Sequence, residues 1–158
     1  MTGQKTNGRK QHLLVDTLGF VLRIKVHTAS IGEREGGKLL LSELQKAHPK
    51  IELIWADMGY SGPEFANWVQ TETGATVEIV KRPRRRFRVK EGEEPPQLPS
   101  EPAGFKILPR RWVVERSFAW LGKYRRLSKD YEAAVQHSES MIYLAMTRLM
   151  LNRLAQKY

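Results

Sequence analysis

The sequence predicts an α/β domain: a mixed sheet with helices packed on it. Strand-length runs rich in Val, Ile and Leu fill the first 80 residues. Helical periodicities alternate with those runs, and two more helical patterns close the chain. A length of 158 residues suits one domain with a proper core, so residues 1–158 are read as a single domain.

The elements follow in order. Residues 1–10 are polar, with Lys5, Arg9 and Lys10, and are expected to be unstructured or incomplete. The runs His12–Thr17 and Phe20–His27, separated by Leu18 and Gly19, read as a β-hairpin. Residues 33–47 read as a helix, with Leu40, Leu41 and Leu44 on one face. Gly36 and Gly37 weaken its first turns, and Pro49 follows its end. Ile51–Ala56 is a nearly continuous apolar run ending at Asp57, as expected of a strand buried on both faces. Ser61 and Glu64 have capping-box spacing ahead of a helix that presents Phe65, Trp68 and Val69 and stops at Gly74. Thr76–Val80 reads as another strand. Seven of the ten residues from Lys81 to Lys90 are Lys or Arg, and an acidic, proline-rich stretch follows. Residues 81–107 are therefore expected to be a basic loop and linker within the domain. Helical spacing resumes with Val114, Phe118 and Leu121. A last helix, 132–155, carries the stripe Ile142, Met146, Leu149 and Met150.

Composition narrows the function. Hydrophobic residues make up 41% and charged residues 28%, which argues against wholesale disorder. The longest apolar run, Met141–Met146, is far too short to span a membrane. No secretory signal pattern opens the sequence, so a cytoplasmic location is expected. Cysteine is absent, which removes thiolate chemistry and cysteine-based zinc sites. The net charge of +10 favours a polyanionic partner, either nucleic acid or a membrane surface.

Three features can carry chemistry. Asp57 ends an apolar strand, where loops of open α/β sheets gather reactive groups. Its carboxylate can hold a divalent metal or simply cap the turn. Glu115 lies one helical turn after Arg111. The pair reads either as a metal carboxylate beside a phosphate-binding cation or as an ordinary i, i+4 ion pair. Arg84, Arg85, Arg86 and Arg88 form the strongest basic cluster, and Lys123, Arg125 and Arg126 form a second. Arginine matches phosphate bidentately, so both clusters are candidate contacts to a nucleic-acid backbone or else solvated charge. His12, His27, His48 and His137 show no ligand spacing and are read as strand, turn and surface residues.

Four blocks resemble bacterial insertion-sequence transposases of the DDE type: 8–19 (GRKQHLLVDTLG), 55–62 (WADMGYSG), 110–121 (RRWVVERSFAWL) and 124–132 (YRRLSKDYE). The resemblance implies a ribonuclease-H-like fold. It also implies two Mg²⁺ or Mn²⁺ ions held by an Asp, Asp, Glu triad, with DNA at transposon ends and target as substrate and partner. By that motif Asp57 corresponds to the second Asp, Glu115 to the Glu, and Arg111 to the arginine one turn before it. Leu108 stands where some relatives carry a tyrosine.

The family's first Asp sits on a strand upstream of the first block. Relatives carry an Asp at the position of Asp16 in addition to that residue, so Asp16 does not replace it. The resemblance therefore implies an N-terminally truncated catalytic domain without its central first strand. The hairpin and the Ile51–Asp57 strand would then be separated, with two unpaired edges, and the fold would be marginal or partner-dependent. Two metal ions clamping the attacking and leaving oxygens need the full carboxylate set, so the isolated chain is expected to be inactive. The complete enzyme would cleave and transfer DNA strands near the bacterial nucleoid. An upstream reading-frame product or an intact transposase is the expected protein partner. A non-catalytic DNA-binding or assembly fragment and an inactive decayed frame are the alternatives. No helix-turn-helix pattern appears.

Overall fold

The computed structural model describes residues 8–80 and 112–156. The basic segment, the proline-rich linker, Leu108 and Arg111 lie outside the described residues.

Strands β1 (Arg9–Val15) and β2 (Val21–Thr28) form an antiparallel hairpin. The turn is built by Asp16, whose carboxylate accepts hydrogen bonds from Leu18 N (2.9 Å) and Phe20 N (2.8 Å). Gly19 sits in the turn at φ 86°, where a side chain would be strained. The Oδ1 oxygen of Asp16 thus shapes the turn. Arg9 and Lys10, expected in an unstructured stretch, instead belong to β1.

Register assigns the two faces. Lys10, His12 and Leu14 share one face with Arg23, Lys25 and His27; Gln11 and Leu13 share the other with Ile24 and Val26. Both faces are covered. On the first, Leu14 joins a core with Leu40, Leu41, Leu44, Ile54, Phe65 and Val69. On the second, Val21, Ile24 and Val26 pack with Leu121, Ile142, Ala145 and Met146. A free hairpin is barely stable in water, whereas each large apolar side chain buried here contributes roughly 1.5–3 kcal/mol.

The expected helix over 33–47 is two pieces, α1 (Glu33–Leu41) and α2 (Leu44–Ala47). Glu43 between them adopts a left-handed φ of 61°, which breaks the helical path. Gly36 and Gly37 have a packing reason. A Cβ on Gly36 would lie 2.4 Å from Nε2 of both His12 and His27, and one on Gly37 would lie 2.9 Å from the Tyr60 and Phe65 rings. Only glycines let α1 approach so closely.

Strand β3 (Leu53–Ala56) pairs in parallel with β4 (Thr76–Ile79), joined through α3 (Pro63–Thr73), which ends at Gly74 as expected. β3 is not buried on both faces. Only Ile54 is buried and Leu53 is 40% exposed, because β3 has a single strand neighbour among the described residues. The capping box also fails: Gly62 is the N-cap of α3, and Ser61 instead closes the preceding 3₁₀ turn.

Helices α4 (Trp112–Gly122) and α5 (Val135–Ala155) cover the second face of the hairpin. The last helix begins three residues later than expected. In α4 the buried stripe is Val113, Ser117 and Leu121; Phe118 is 41% exposed, so the expected 114–118–121 stripe is displaced by one residue. Ser117 causes the displacement. Its hydroxyl reaches Gly19 O (2.7 Å) and Val113 O (3.0 Å), and Gly19 would have no room for a Cβ beside it. Along α5, Ile142 and Met146 are buried, and Leu149 and Met150 pack at the core margin, as the spacing implied.

Arg9 ties the two ends of the described fold together. Its guanidinium donates to Asp130 Oδ2 (3.0 Å), Glu132 O (2.7 Å), Ser138 Oγ (3.2 Å) and Ala133 O (2.7 Å). Burial alone would raise the pKa of Asp130, but hydrogen bonds from Ser138 and Arg9 outweigh it and hold the carboxyl below its usual range. Among the described residues the strands form two separate two-stranded sheets, β1–β2 and β3–β4.

Candidate functional site

Asp57 directly follows β3 and begins the 3₁₀ turn Met58–Tyr60. It is exposed, and its carboxylate accepts a hydrogen bond from Gly59 N at 2.9 Å. Both readings of this residue are thus physically available: the carboxylate caps its turn, and lone pairs remain free on an exposed oxygen. Gly59 keeps the turn open, since a Cβ there would lie 3.1 Å from Asp57 Oδ1 and 3.1 Å from Cγ of Glu33.

The turn is anchored to the hairpin through Tyr60. Its hydroxyl hydrogen-bonds His12 Nδ1. Burial, then the negative charges of Asp57 and Glu33, push the phenol up to about 12, so it stays protonated. Glu33 pairs with Lys10 at 2.9 Å, and that hydrogen bond holds its carboxyl below the usual range. Burial, then neighbouring His27, lowers the pKa of His12. An open hollow of about 410 Å³ beside Gly59 is bordered by Glu33, Arg34, Lys38 and Glu64. Its mixed charge makes it a poor cradle for an anion such as phosphate.

Glu115 stands exposed in the first turn of α4. That helix is held at the hairpin turn: Ser117 bonds Gly19, and Arg116 Nη2 donates to Leu18 O at 2.6 Å. Leu121 packs on the Ile24 and Val26 face, whereas Tyr60 reaches the His12 face. The two candidate carboxylates are therefore carried by elements anchored on opposite faces of the hairpin. Their oxygen donors suit a hard ion such as Mg²⁺ or Mn²⁺. Among the described residues, however, no three His, Asp or Glu side chains converge to hold a metal.

Lys123 and Arg125 are exposed just beyond α4. Arg126 is engaged with Glu132 at 2.8 Å, so phosphate would have to compete for it. Arg84, Arg85, Arg86, Arg88 and Arg111 lie outside the described residues. Four residues that organise this region escaped the sequence reading as site residues: Tyr60, Glu33 and the stacked pair His12 and His27. The alternation of β1 and β2 carried the signal for the His pair, once the turn fixed which residues share a face.

The hairpin edges differ. Val26 N donates to Glu139 Oε1 (2.9 Å) and Ile24 N to the Tyr143 hydroxyl (3.1 Å), so α5 caps the outer edge of β2. Those N–H groups point away from β1. Their register partners Gln11 and Leu13 must then point their own backbone groups away from β2. Among the described residues nothing bonds those groups, so the outer edge of β1 is open as far as those residues are concerned.

No helix among the described residues is long and apolar enough to cross a membrane. A family model described as "Transposase DDE domain" matches residues 2–150. Comparison with curated proteins and with solved structures finds no match.

Proposed function

The chain belongs to the transposase DDE domain family, and from that premise we propose that it is part of the catalytic domain of a metal-dependent DNA transposase, working at the bacterial nucleoid. Asp57 and Glu115 would ligate Mg²⁺ or Mn²⁺ in the complete enzyme. The ions would activate water and stabilise the scissile phosphate during strand cleavage and transfer. Arg111, Lys123, Arg125 and Arg126 would position phosphates, and Arg84, Arg85, Arg86 and Arg88 would track the DNA backbone.

The observation that carries this reading is the exposed carboxylate of Asp57 at the C-terminal end of a parallel strand, within a family match covering nearly the whole chain. Opposite anchoring of Asp57 and Glu115, the open edge of β1 and the split into two small sheets support one refinement. A further strand, of ribonuclease-H-like topology, seats between β1 and β3 and completes both the sheet and the carboxylate set. An upstream frame product or an intact transposase would supply it. A lone chain then binds DNA without cutting it, which is the assembly-fragment reading and the second choice for the isolated protein.

The test is cleavage of transposon-end DNA with Mn²⁺, by the chain alone and with the upstream product, beside Asp57→Ala and Glu115→Ala. Metal-dependent cutting that needs both carboxylates supports the enzyme. Salt-sensitive binding without cutting under either condition supports the assembly fragment. Neither cutting nor binding would leave an inactive frame.

A further inference from the structure

Helix α5 is apolar on two sides. On one side Ile142, Ala145 and Met146 are buried against the hairpin. On the other, Met141, Leu144, Arg148, Leu151 and Ala155 follow at steps of three, four, three and four residues, the spacing of a seam that meets a second helix. Leu144 is 63% exposed and Leu151 59%, with Leu154 beside them at 57%. Every residue from Leu151 to Gln156 is exposed, so the last turn of α5 stands clear of both cores. A helix end without packing is marginal in water, and a helix that is apolar all round is one meant to be covered all round. Among the described residues nothing covers this side.

Arg148 decides what fits there. It is exposed at the midpoint of the seam, with no acidic residue paired to it among the described residues. No Asp or Glu stands between Ser140 and Gln156. A second copy paired in register would bring two Arg148 side chains together at the two-fold axis, whichever way the helices ran, and that repulsion counts against it. A DNA backbone would meet one cation set among leucines that it cannot cover. An amphipathic helix with a carboxylate at the centre of its own seam covers the leucines and pairs Arg148 at once. The size agrees. The seam is about 21 Å long and about 10 Å wide, so about 200 Å², against about 800 Å² on each side of a standard interface between folded proteins. That area suits one helix.

We propose that the outer face of α5 is a docking seam for one amphipathic helix of a partner protein, apolar along its length and carrying an Asp or Glu opposite Arg148. Leu144, Leu151 and Leu154 supply the contact, and Arg148 selects the partner by charge. Docking needs neither metal nor DNA, so its failure leaves the transposase reading untouched.

The experiment titrates the full chain into two labelled synthetic helices about three heptads long. Both carry Leu along the seam; one has Glu and the other Lys at the central seam position. Binding is read by anisotropy for wild type, Arg148→Glu and Leu151→Asp. Thermal unfolding of each variant confirms an intact fold, and sedimentation velocity reports self-association. Wild type is expected to bind the Glu peptide about tenfold or more tightly than the Lys peptide. Arg148→Glu should reverse that preference, and Leu151→Asp should lose both peptides. Equal affinity for the two peptides, a preference unchanged in Arg148→Glu, or no binding of either overturns the seam. Self-association of wild type that Leu151→Asp abolishes assigns the face to a second copy and overturns the proposal as well.

Discussion

His12 and His27 stack with ring centroids 4.7 Å apart and planes inclined by 26°, and both Nε2 atoms face Gly36 without a hydrogen-bond partner. His27 Nδ1 donates to Thr28 O at 2.8 Å, while His12 Nδ1 meets Tyr60. The pair therefore belongs to the packing between the hairpin and α1, and a charge there would be desolvated.

Acid should loosen this contact at a stated point. The pKa of His12 is lowered in the fold by burial and then by His27. The unfolded chain takes up this proton first, so stability is complete above about pH 6.5 and falls as pH drops below it, until the folded pKa is reached. Melting curves from pH 7.5 to 5 should show the decline, and His12→Gln should flatten it. Carboxylates held low in the fold, such as Asp130, contribute their loss only at lower pH. A slope in the variant equal to that of wild type would assign the effect elsewhere.

Gly36→Ala should destabilise the fold by about 1–3 kcal/mol, since its methyl group would overlap two ring nitrogens and force the rings or α1 to move. Gly122→Ala has nothing within 4 Å and serves as the comparison, with little change or a small gain expected. Urea unfolding distinguishes the two.

Arg9→Ala removes four hydrogen bonds, one of which is the ion pair to Asp130. The site is partly exposed, so a loss of about 2 kcal/mol is expected rather than the sum of its bonds. Limited proteolysis should show new cutting within residues 128–134. Unchanged protection would mean that the core alone holds this segment.

Ser117→Ala should cost about 1 kcal/mol by orphaning Gly19 O, and Ser117→Val more, because the added methyl groups meet Gly19. Reversal of that order would indicate that the hydroxyl, and not the space, decides the contact.

Replacing Arg84, Arg85, Arg86 and Arg88 together with Ala should weaken DNA binding and reduce its salt dependence. The slope of log affinity on log salt becomes shallower by about 0.9 for each phosphate that the protein no longer neutralises. An unaltered slope would remove this segment from the interface.

Much of the fold was legible because local chemistry and tertiary packing agreed. The hairpin, α1, α3 ending at Gly74, and the stripe of Ile142 and Met146 all follow from spacing and turn residues. The failures share one cause. Phe118 has the better apolar pattern, yet Ser117 faces the core because only a small side chain fits against Gly19. Ser61 has a capping sequence, yet it is taken up in closing the turn that displays Asp57. Leu53 belongs to an apolar run, yet lies exposed beside a single strand partner. Each depends on a neighbour distant in sequence. The same holds for the candidate site: Asp57 was legible as a strand-end carboxylate, whereas Tyr60, Glu33 and the opposite anchoring of Glu115 depend on how the hairpin divides two cores.

The Arg9 clamp carries a consequence for biosynthesis. It joins groups 121 positions apart in the chain, and the Val26 bond to Glu139 spans 113. One side of the hairpin therefore lacks the larger part of its cover, Ile142, Ala145 and Met146, while the ribosome makes everything before α5. Closure is late and nearly all-or-none, in the manner of a fold with distant contacts. A nascent chain stalled before Val135 would offer Val21, Ile24 and Val26 to chaperones or proteases.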